Sequence, residues 1–162
     1  MANSVVTLRA EHAYLLVGVV GFYFANGILG ATIGAARSRH GIKYPNLYAT
    51  RGMFIGEDGK VDEKKWEEHG VKFNQAQRGH QHLTETEPTA LALMLSCGVF
   101  YPTYAAVWGA VWVVGSLMYG FGYAVSPNYR LVGEALYIPA SLAWVYGLYC
   151  AASVLQQGGG SF

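Results

Sequence analysis

Residues 73–94 read FNQAQRGHQHLTETEPTALALM and pass without a break from charged and polar side chains into an apolar run. A solvated surface helix does not usually lead straight into an apolar one, and a membrane span stays apolar for about 20 residues. This stretch does neither, because Arg78, Glu85 and Glu87 precede Pro88 and no charged residue follows it in the stretch. It therefore predicts a helix that enters a membrane through a polar edge.

The distribution of charge along the chain supports a membrane protein. Only 13% of the 162 residues are charged and 52% are hydrophobic, against about 25% charged in an ordinary soluble domain. The charged residues outside residues 37–87 are Arg9, Glu11, Arg130 and Glu134. Charge is absent from residues 13–36, 88–129 and 135–162. Helices of soluble proteins rarely contain charge-free stretches of this length, so we expect an integral membrane protein.

The charge-free stretches divide into four spans. The middle stretch is too long for one span, and GVFYPTY at residues 98–104 supplies a proline turn within it. We predict an all-α, four-transmembrane-helix bundle in which residues 1–162 form a single integral membrane domain. The predicted spans cover about residues 9–38, 72–99, 102–125 and 129–156, and a polar loop covers residues 39–71.

The polar loop predicts the orientation of the bundle. Lys and Arg are frequent between residues 37 and 72 and almost missing from the other connections, so the positive-inside rule places this loop in the cytoplasm. With four spans, the connection between the third and fourth spans lies on the same side. We therefore expect Tyr119, Tyr123 and Arg130 at the membrane depth of Arg78 and Glu85.

Helical spacing places several polar side chains of the second span on one face. Arg78, His82 and Glu85 follow each other at i, i+4 and i+7, whereas His80 points about 200° away from Arg78. Tyr119 and Tyr123 are also four residues apart. Guanidinium, carboxylate, imidazole and phenol groups together suit a small zwitterion, because Arg binds carboxylates in a bidentate manner and Glu binds an ammonium.

Other interpretations of these residues are simpler or weaker. Arg78 and Arg130 could extend to lipid headgroups without binding any ligand. His80 and His82 cannot aim both rings at one ion from one helical turn, so we expect no metal site. Cys97 has no base near it in the sequence. A net charge of +1 gives no support to nucleic-acid binding.

Three sequence blocks resemble a known family. FNQAQRGHQHLTETEP in the second span, AARSRHGIKYPNLYA after the first span and YGFGYAVSPNYR at the end of the third are similar to the MAPEG family, the membrane-associated proteins in eicosanoid and glutathione metabolism. The resemblance covers roughly residues 9–155. It implies a homotrimer in which glutathione binds between neighbouring subunits in pockets open to the cytoplasm.

The resemblance also implies roles for individual residues. The Arg at the position of Arg130 stabilises the glutathione thiolate in such proteins, and Tyr119 and Tyr123 fall on tyrosines of the same pocket. Arg78 matches an Arg that holds a carboxylate of glutathione, and Glu85 matches a Glu that meets its amine.

The resemblance implies roles for three further residues, one of them acting in a neighbouring subunit, and this chain also differs from its relatives. Arg37 matches an Arg that reaches glutathione from the adjacent subunit. His80 lies where relatives have His or Gln near the ligand. His82 stands where many relatives have Asn, and the loop at residues 51–72 is longer than in the relatives compared.

The resemblance implies a function in the membrane. We expect a glutathione transferase with peroxidase activity that acts on lipophilic electrophiles or lipid hydroperoxides entering from the lipid bilayer. The alternative is a non-catalytic subunit or scaffold within a larger membrane complex, since the longer loop could bind a partner. The endoplasmic reticulum is the expected location, with a mitochondrial membrane as the alternative.

Overall fold

The computed structural model describes residues 7–158, and four long helices dominate it. Helix α1 spans Ala13–His40, α2 spans Lys72–Phe100, α3 spans Pro102–Val125 and α4 spans Arg130–Gln156. The ends of each helix lie within a few residues of the ends of one predicted span. The prediction of an all-α fold with four helices is confirmed.

The membrane-spanning character of α2 differs from that of the other helices. Among the described residues, the stretches long and apolar enough to cross a membrane are Ala10–His40, Pro102–Val125 and Pro127–Gln156. Helix α2 is as long as they are, but the part before Pro88 carries Lys72, Arg78, Glu85 and Glu87. A charge at the centre of a bilayer costs about 2.5–3.5 kcal/mol. Three candidate spans thus replace the expected four, and the passage of α2 across the membrane stays a prediction.

Successive helices run antiparallel, and short turns join α2 to α3 and α3 to α4. Helix α1 ends at Gly41, which adopts a left-handed φ of 69° that favours glycine. Only Tyr101 separates α2 from α3, and Pro102 opens α3 as the GVFYPTY motif predicts. At the opposite end of the bundle, Lys72 Nζ lies 3.5 Å from the carbonyl oxygen of Val125. We call this second end, where residues 41–71 and 126–129 lie, the loop end.

The core between the helices is aromatic. The rings of Phe22 and Trp112 stack with centroids 4.6 Å apart and join α1 to α3. Trp144 in α4 is fully buried and donates its Nε1–H to the carbonyl oxygen of Ala105 at 3.0 Å. This hydrogen bond satisfies the indole nitrogen that burial would otherwise leave without a partner.

Glycines set how closely α2, α3 and α4 approach each other near the loop end. A Cβ added to Gly79 would lie 2.7 Å from the carbonyl oxygen of Gly120, and one added to Gly115 would lie 2.7 Å from the amide nitrogen of Tyr137. Both distances are too short for a real side chain, so the backbones touch directly. This packing brings Arg78, next to Gly79, against the tyrosines of α3.

The loop between α1 and α2 has a structure of its own. A turn after Ile55 is closed by a bridge to Val61, and a helical turn Glu63–Lys65 continues through a π-helical segment Trp66–Val71 into α2. Asn74 in α2 fixes the loop by bonding both the amide and the carbonyl oxygen of Ala49, at 2.8 and 3.0 Å.

Candidate functional site

An ion pair on α2 forms one wall of the candidate site. Arg78 Nη1 donates to both carboxylate oxygens of Glu85, at 3.1 and 3.0 Å. Seven residues make two turns, so the two side chains share a face as the sequence predicted. Their side chains are 40% and 47% exposed, and an ion pair this open contributes only about 0.2–1 kcal/mol. A ligand with its own charges can therefore replace it at low cost.

Two residues that the sequence analysis missed support Glu85. Gln81 Nε2 donates to Glu85 Oε1 at 3.0 Å, and the hydroxyl of Tyr48 donates to Gln81 Oε1. Gln81 lies four residues before Glu85, a spacing that could have identified it. Tyr48 belongs to the loop and is 33 residues away from Gln81, so no local pattern indicates it.

A histidine and three tyrosines form the next part of the site. The ring of His82 stacks on Tyr119 with centroids 3.9 Å apart, and it lies 5.4 Å from the ring of Tyr137. Tyr123 follows with its ring centroid 5.8 Å from that of Tyr119. His82, Tyr119 and Tyr123 thus come together as predicted. Tyr137 was missed, although it lies seven residues after Arg130 on one stripe of α4.

Arg130 lies at the start of α4 beside this cluster. Its Nε is 3.5 Å from Glu134 Oε1, four residues later. Arg78, Arg130 and Glu134 lie close enough to Tyr119 for their charges to act on it. Glu134 was not among the predicted site residues, although its i, i+4 spacing from Arg130 indicates the pair.

A cleft of about 290 Å³ opens at the loop end beside these groups. It is lined by Val71, Asn74, Gln75, Arg78, Tyr123 and Pro127. Arg78 and Tyr123 come from α2 and α3 and share this one space. Within residues 7–158, the buried Oε1 of Gln75 and the buried Nε2 of His82 have no hydrogen-bond partner. Since an unpaired buried polar atom costs about 1–3 kcal/mol, such atoms suit a site completed by a ligand.

Comparison with known proteins identifies the family. The model of the MAPEG family matches residues 14–153. The chain belongs to the MAPEG family. It is also 44% identical over 56 residues to "Uncharacterized protein sll1147" of Synechocystis sp.. That match covers 35% of this chain and 39% of the Synechocystis protein.

In this MAPEG protein Arg37 lies apart from the cleft. It is buried at the end of α1, where Nη1 donates to the carbonyl oxygen of Asn46 at 2.8 Å. Its guanidinium carbon lies 4.3 Å from the ring centroid of Tyr44 and 5.1 Å from that of Phe73. Within one protomer Arg37 therefore fixes the start of the loop. A contribution from Arg37 to the pocket of an adjacent subunit stays a prediction.

His80 also faces away from the cleft, as its angle on the helix predicts. Its Nε2 lies 3.3 Å from Asn26 Oδ1, and Asn26 Nδ2 donates to Glu87 Oε2 at 2.5 Å. Because a carboxylate accepts hydrogen bonds, the amide group of Asn26 must turn its nitrogen to Glu87 and its oxygen to a His80 Nε2–H. This chain of three residues joins α1 to α2. No pattern in the sequence indicates Asn26.

Proposed function

We propose that this MAPEG protein is a membrane-bound glutathione transferase with glutathione peroxidase activity, similar within its family to microsomal glutathione S-transferase type 3. The observation that carries the proposal is that Arg78, which pairs with Glu85, and Tyr123, which neighbours the stacked rings of His82 and Tyr119, line one cleft. The MAPEG family includes glutathione transferases and related proteins.

The charges of the Arg78–Glu85 pair are opposite to those of glutathione, and Arg78 lines the cleft. Glutathione carries two carboxylates and one ammonium group, and Arg78 and Glu85 carry the opposite charges. On binding, Arg78 would exchange Glu85 for a glutathione carboxylate, and Glu85 would exchange Arg78 for the ammonium group. The exchange is favourable because the exposed pair is weak, whereas charge-assisted hydrogen bonds with good geometry to a bound ligand are stronger.

Arg130 is the proposed catalytic residue. A free thiol has a pKa near 8.5, so little thiolate exists at neutral pH. A guanidinium beside the sulfur favours the anion and lowers the thiol pKa. Glu134 fixes one edge of the Arg130 guanidinium through Nε, which leaves its terminal nitrogens for the sulfur. Tyr119 and Tyr123 would be secondary donors to the same atom.

Both proposed reactions begin with attack by the glutathione thiolate. In transfer, the sulfur forms a bond to an electrophilic carbon of the lipophilic substrate and a leaving group departs with its electron pair. In peroxide reduction, the sulfur attacks the terminal oxygen of a lipid hydroperoxide, the O–O bond breaks, and the lipid departs as an alkoxide that takes up a proton. The sulfur is left carrying a hydroxyl group, as a sulfenic acid. A second glutathione then displaces the hydroxyl group as water and forms the disulfide. The bilayer would supply both kinds of substrate laterally.

The proposed assembly is a homotrimer with glutathione between neighbouring subunits. Arg37 and His80 lie apart from the cleft of their own protomer, so an adjacent subunit is the route by which they would reach the ligand. The proposed membrane is that of the endoplasmic reticulum, with a mitochondrial membrane as the alternative. The loop end would face the cytoplasm.

A second candidate is a non-catalytic subunit of a larger membrane complex. The loop that supports it is structured, with an Arg51–Glu63 ion pair of 2.8 Å and packed rings of Phe54 and Trp66. It also exposes apolar side chains, including Leu47 and Ile55. A structured loop with apolar side chains at its surface could bind another protein.

Thiolate formation tests the first candidate directly. Detergent-solubilised protein would be mixed with glutathione while ultraviolet absorbance reports the thiolate, for wild type, Arg130→Ala and the control Arg9→Ala. Arg9 is an arginine in an exposed ion pair with Glu11 near the other end of the bundle. We expect a thiolate signal in wild type and in Arg9→Ala and its loss in Arg130→Ala.

Two other results would contradict the proposal in different ways. An equal signal in Arg130→Ala would remove Arg130 from the mechanism but keep glutathione as the ligand. No signal in a correctly assembled wild-type protein would rule out the transferase function and favour the non-catalytic subunit. Co-purification then provides the check, since that subunit should be recovered with other membrane proteins.

A further inference from the structure

A second cavity lies at the loop end between α1, α2 and α3, lined by other residues than the cleft. Its volume is about 470 Å³. Its apolar and small lining residues include Leu29, Ala36, Ala76, Gly120 and Phe121. The polar part of its lining includes Arg39, His40 and Lys72. None of these residues belongs to the proposed glutathione site.

The two strong bases of this cavity have no carboxylate partner. Across residues 7–158, no ion pair involves Arg39 or Lys72, whereas Arg51, Arg78 and Arg130 each pair with a glutamate. The contact of Lys72 Nζ with the carbonyl oxygen of Val125 is long, at 3.5 Å. Two unpaired cations on one cavity favour an anionic occupant.

The histidine of this cavity is held by the loop. His40 Nδ1 lies 3.2 Å from His69 Nδ1, so one of the two nitrogens donates a proton and the other accepts it. When His69 donates, His40 carries its own proton on Nε2 and can donate it to a ligand. In that tautomer His40 adds a donor to the charges of Arg39 and Lys72.

The position of the cavity along the helices indicates where the anion comes from. The charge-free stretch of α1 ends at Ala36, and Arg39 and His40 follow within one turn. Leu29 and Phe121 extend the cavity wall along two candidate membrane spans. The basic groups therefore fall at the level of lipid headgroups and the apolar wall at the level of acyl chains. Basic pockets between membrane helices bind anionic headgroups in this way.

We propose that this cavity binds the phosphate group of an anionic phospholipid. Arg39 and Lys72 bind the phosphate oxygens, His40 donates a further hydrogen bond, and an acyl chain lies along Leu29 and Phe121. The bound lipid would fill the space between α1 and α3 next to the loop. The proposal is independent of the glutathione function, because it uses neither the cleft nor Arg130.

Native mass spectrometry of the detergent-solubilised protein tests the proposal with dioleoylphosphatidylglycerol as the probe. The variant Arg39→Gln/Lys72→Gln removes the two unpaired cations of the cavity. The matched control Lys60→Gln/Lys64→Gln removes the same charge from two exposed lysines of the loop. A third variant, Arg39→Lys/Lys72→Arg, keeps both charges and shows whether charge alone is sufficient. Size-exclusion chromatography establishes that each variant keeps its assembly.

We expect about a tenfold loss of lipid binding in Arg39→Gln/Lys72→Gln and little change in the control and charge-retaining variants. Dioleoylphosphatidylcholine, which has no net charge, should bind more weakly to wild type. Addition of inorganic phosphate shows whether the natural ligand is a phospholipid or free phosphate. If phosphate does not displace the lipid, the ligand is a phospholipid. Full displacement at equal concentration would contradict lipid binding and leave free phosphate as the ligand. Equal loss in both glutamine variants would overturn the site itself.

Discussion

The imidazole ring of His82 stacks on the phenol ring of Tyr119, with centroids 3.9 Å apart and planes at 25°. The stack joins α2 to α3 at the level of the cleft. It also holds His82 Nε2 in a buried position without a partner among residues 7–158. His82 therefore packs through its ring and leaves one nitrogen without a partner, and substitutions can separate packing from ligand binding.

His82→Phe keeps a stacking ring and removes Nε2. We expect its melting temperature to stay close to that of wild type, while its dissociation constant for glutathione rises severalfold, as loss of one hydrogen bond of about 0.5–1.5 kcal/mol requires. His82→Ala should lower both affinity and stability, because an aromatic pair contributes about 0.5–1.5 kcal/mol. Calorimetric titration and thermal unfolding in detergent measure the two effects. Wild-type affinity in His82→Phe would show that Nε2 does not bind the ligand.

Gly79→Ala tests the contact between α2 and α3. The new Cβ would lie 2.7 Å from the carbonyl oxygen of Gly120, so the helices must separate, at a cost of about 1–3 kcal/mol. Gly34→Ala in α1 is the matched control, since a Cβ there meets no atom within 4 Å. Ala is the better helix former by about 0.8–1.0 kcal/mol. Thermal unfolding should therefore show a lower melting temperature only for Gly79→Ala. Equal stability of the two variants would contradict the close contact.

The Asn26–Glu87 hydrogen bond predicts coupled substitutions between α1 and α2. Asn26→Ala leaves the Glu87 carboxylate without the amide that donates to it at 2.5 Å. We expect the free energy of unfolding to fall by about 1–3 kcal/mol. Adding Glu87→Ala should recover part of this loss, because the carboxylate is then absent. A double-mutant cycle measured by unfolding in detergent gives the coupling energy, expected at about 0.5–3 kcal/mol. Strictly additive effects would mean that the bond does not contribute.

Asp62 predicts a pH dependence of the loop. Hydrogen bonds from Lys65 hold the pKa of the Asp62 carboxyl below its usual range, because they stabilise the charged form at the start of the helical turn. The stabilisation is therefore complete above the unfolded pKa of about 3.9 and is lost as pH falls through the lower folded pKa.

Hydrogen exchange of the Lys65 amide should follow this change in wild type. Asp62→Asn is the matched control, because Asn also caps a helix but does not ionise. In Asp62→Asn, the exchange rate of the Lys65 amide should show no transition at acid pH caused by residue 62. The same acid-induced step in Asp62→Asn would assign the change to another group.

Helix positions and the face shared by Arg78 and Glu85 follow from the sequence by itself. The absence of charge from residues 13–36 and 88–129, together with the GVFYPTY turn, is local information and predicts helices α1, α3 and the end of α2 within a few residues. The two-turn spacing of Arg78 and Glu85 is also local, because helix periodicity alone puts both side chains on one face.

The contacts between helices were decided by tertiary structure. The donation from Tyr48 to Gln81, the bond of His80 to Asn26 and the pairing of His40 with His69 each join residues at least 29 positions apart. No periodic pattern links residues at such distances, because their approach depends on how closely the backbones pack.

The packing of α2 on α3 shows why the cleft itself required the fold. Contact between Gly79 and Gly120 brings the backbones together without side chains between them, and this sets the position of Arg78 relative to Tyr123. A sequence shows that both glycines are present, but their register against each other results from the packing of the whole bundle. The types of chemical group in the site were thus determined locally, and their arrangement around one cleft was determined by helix packing.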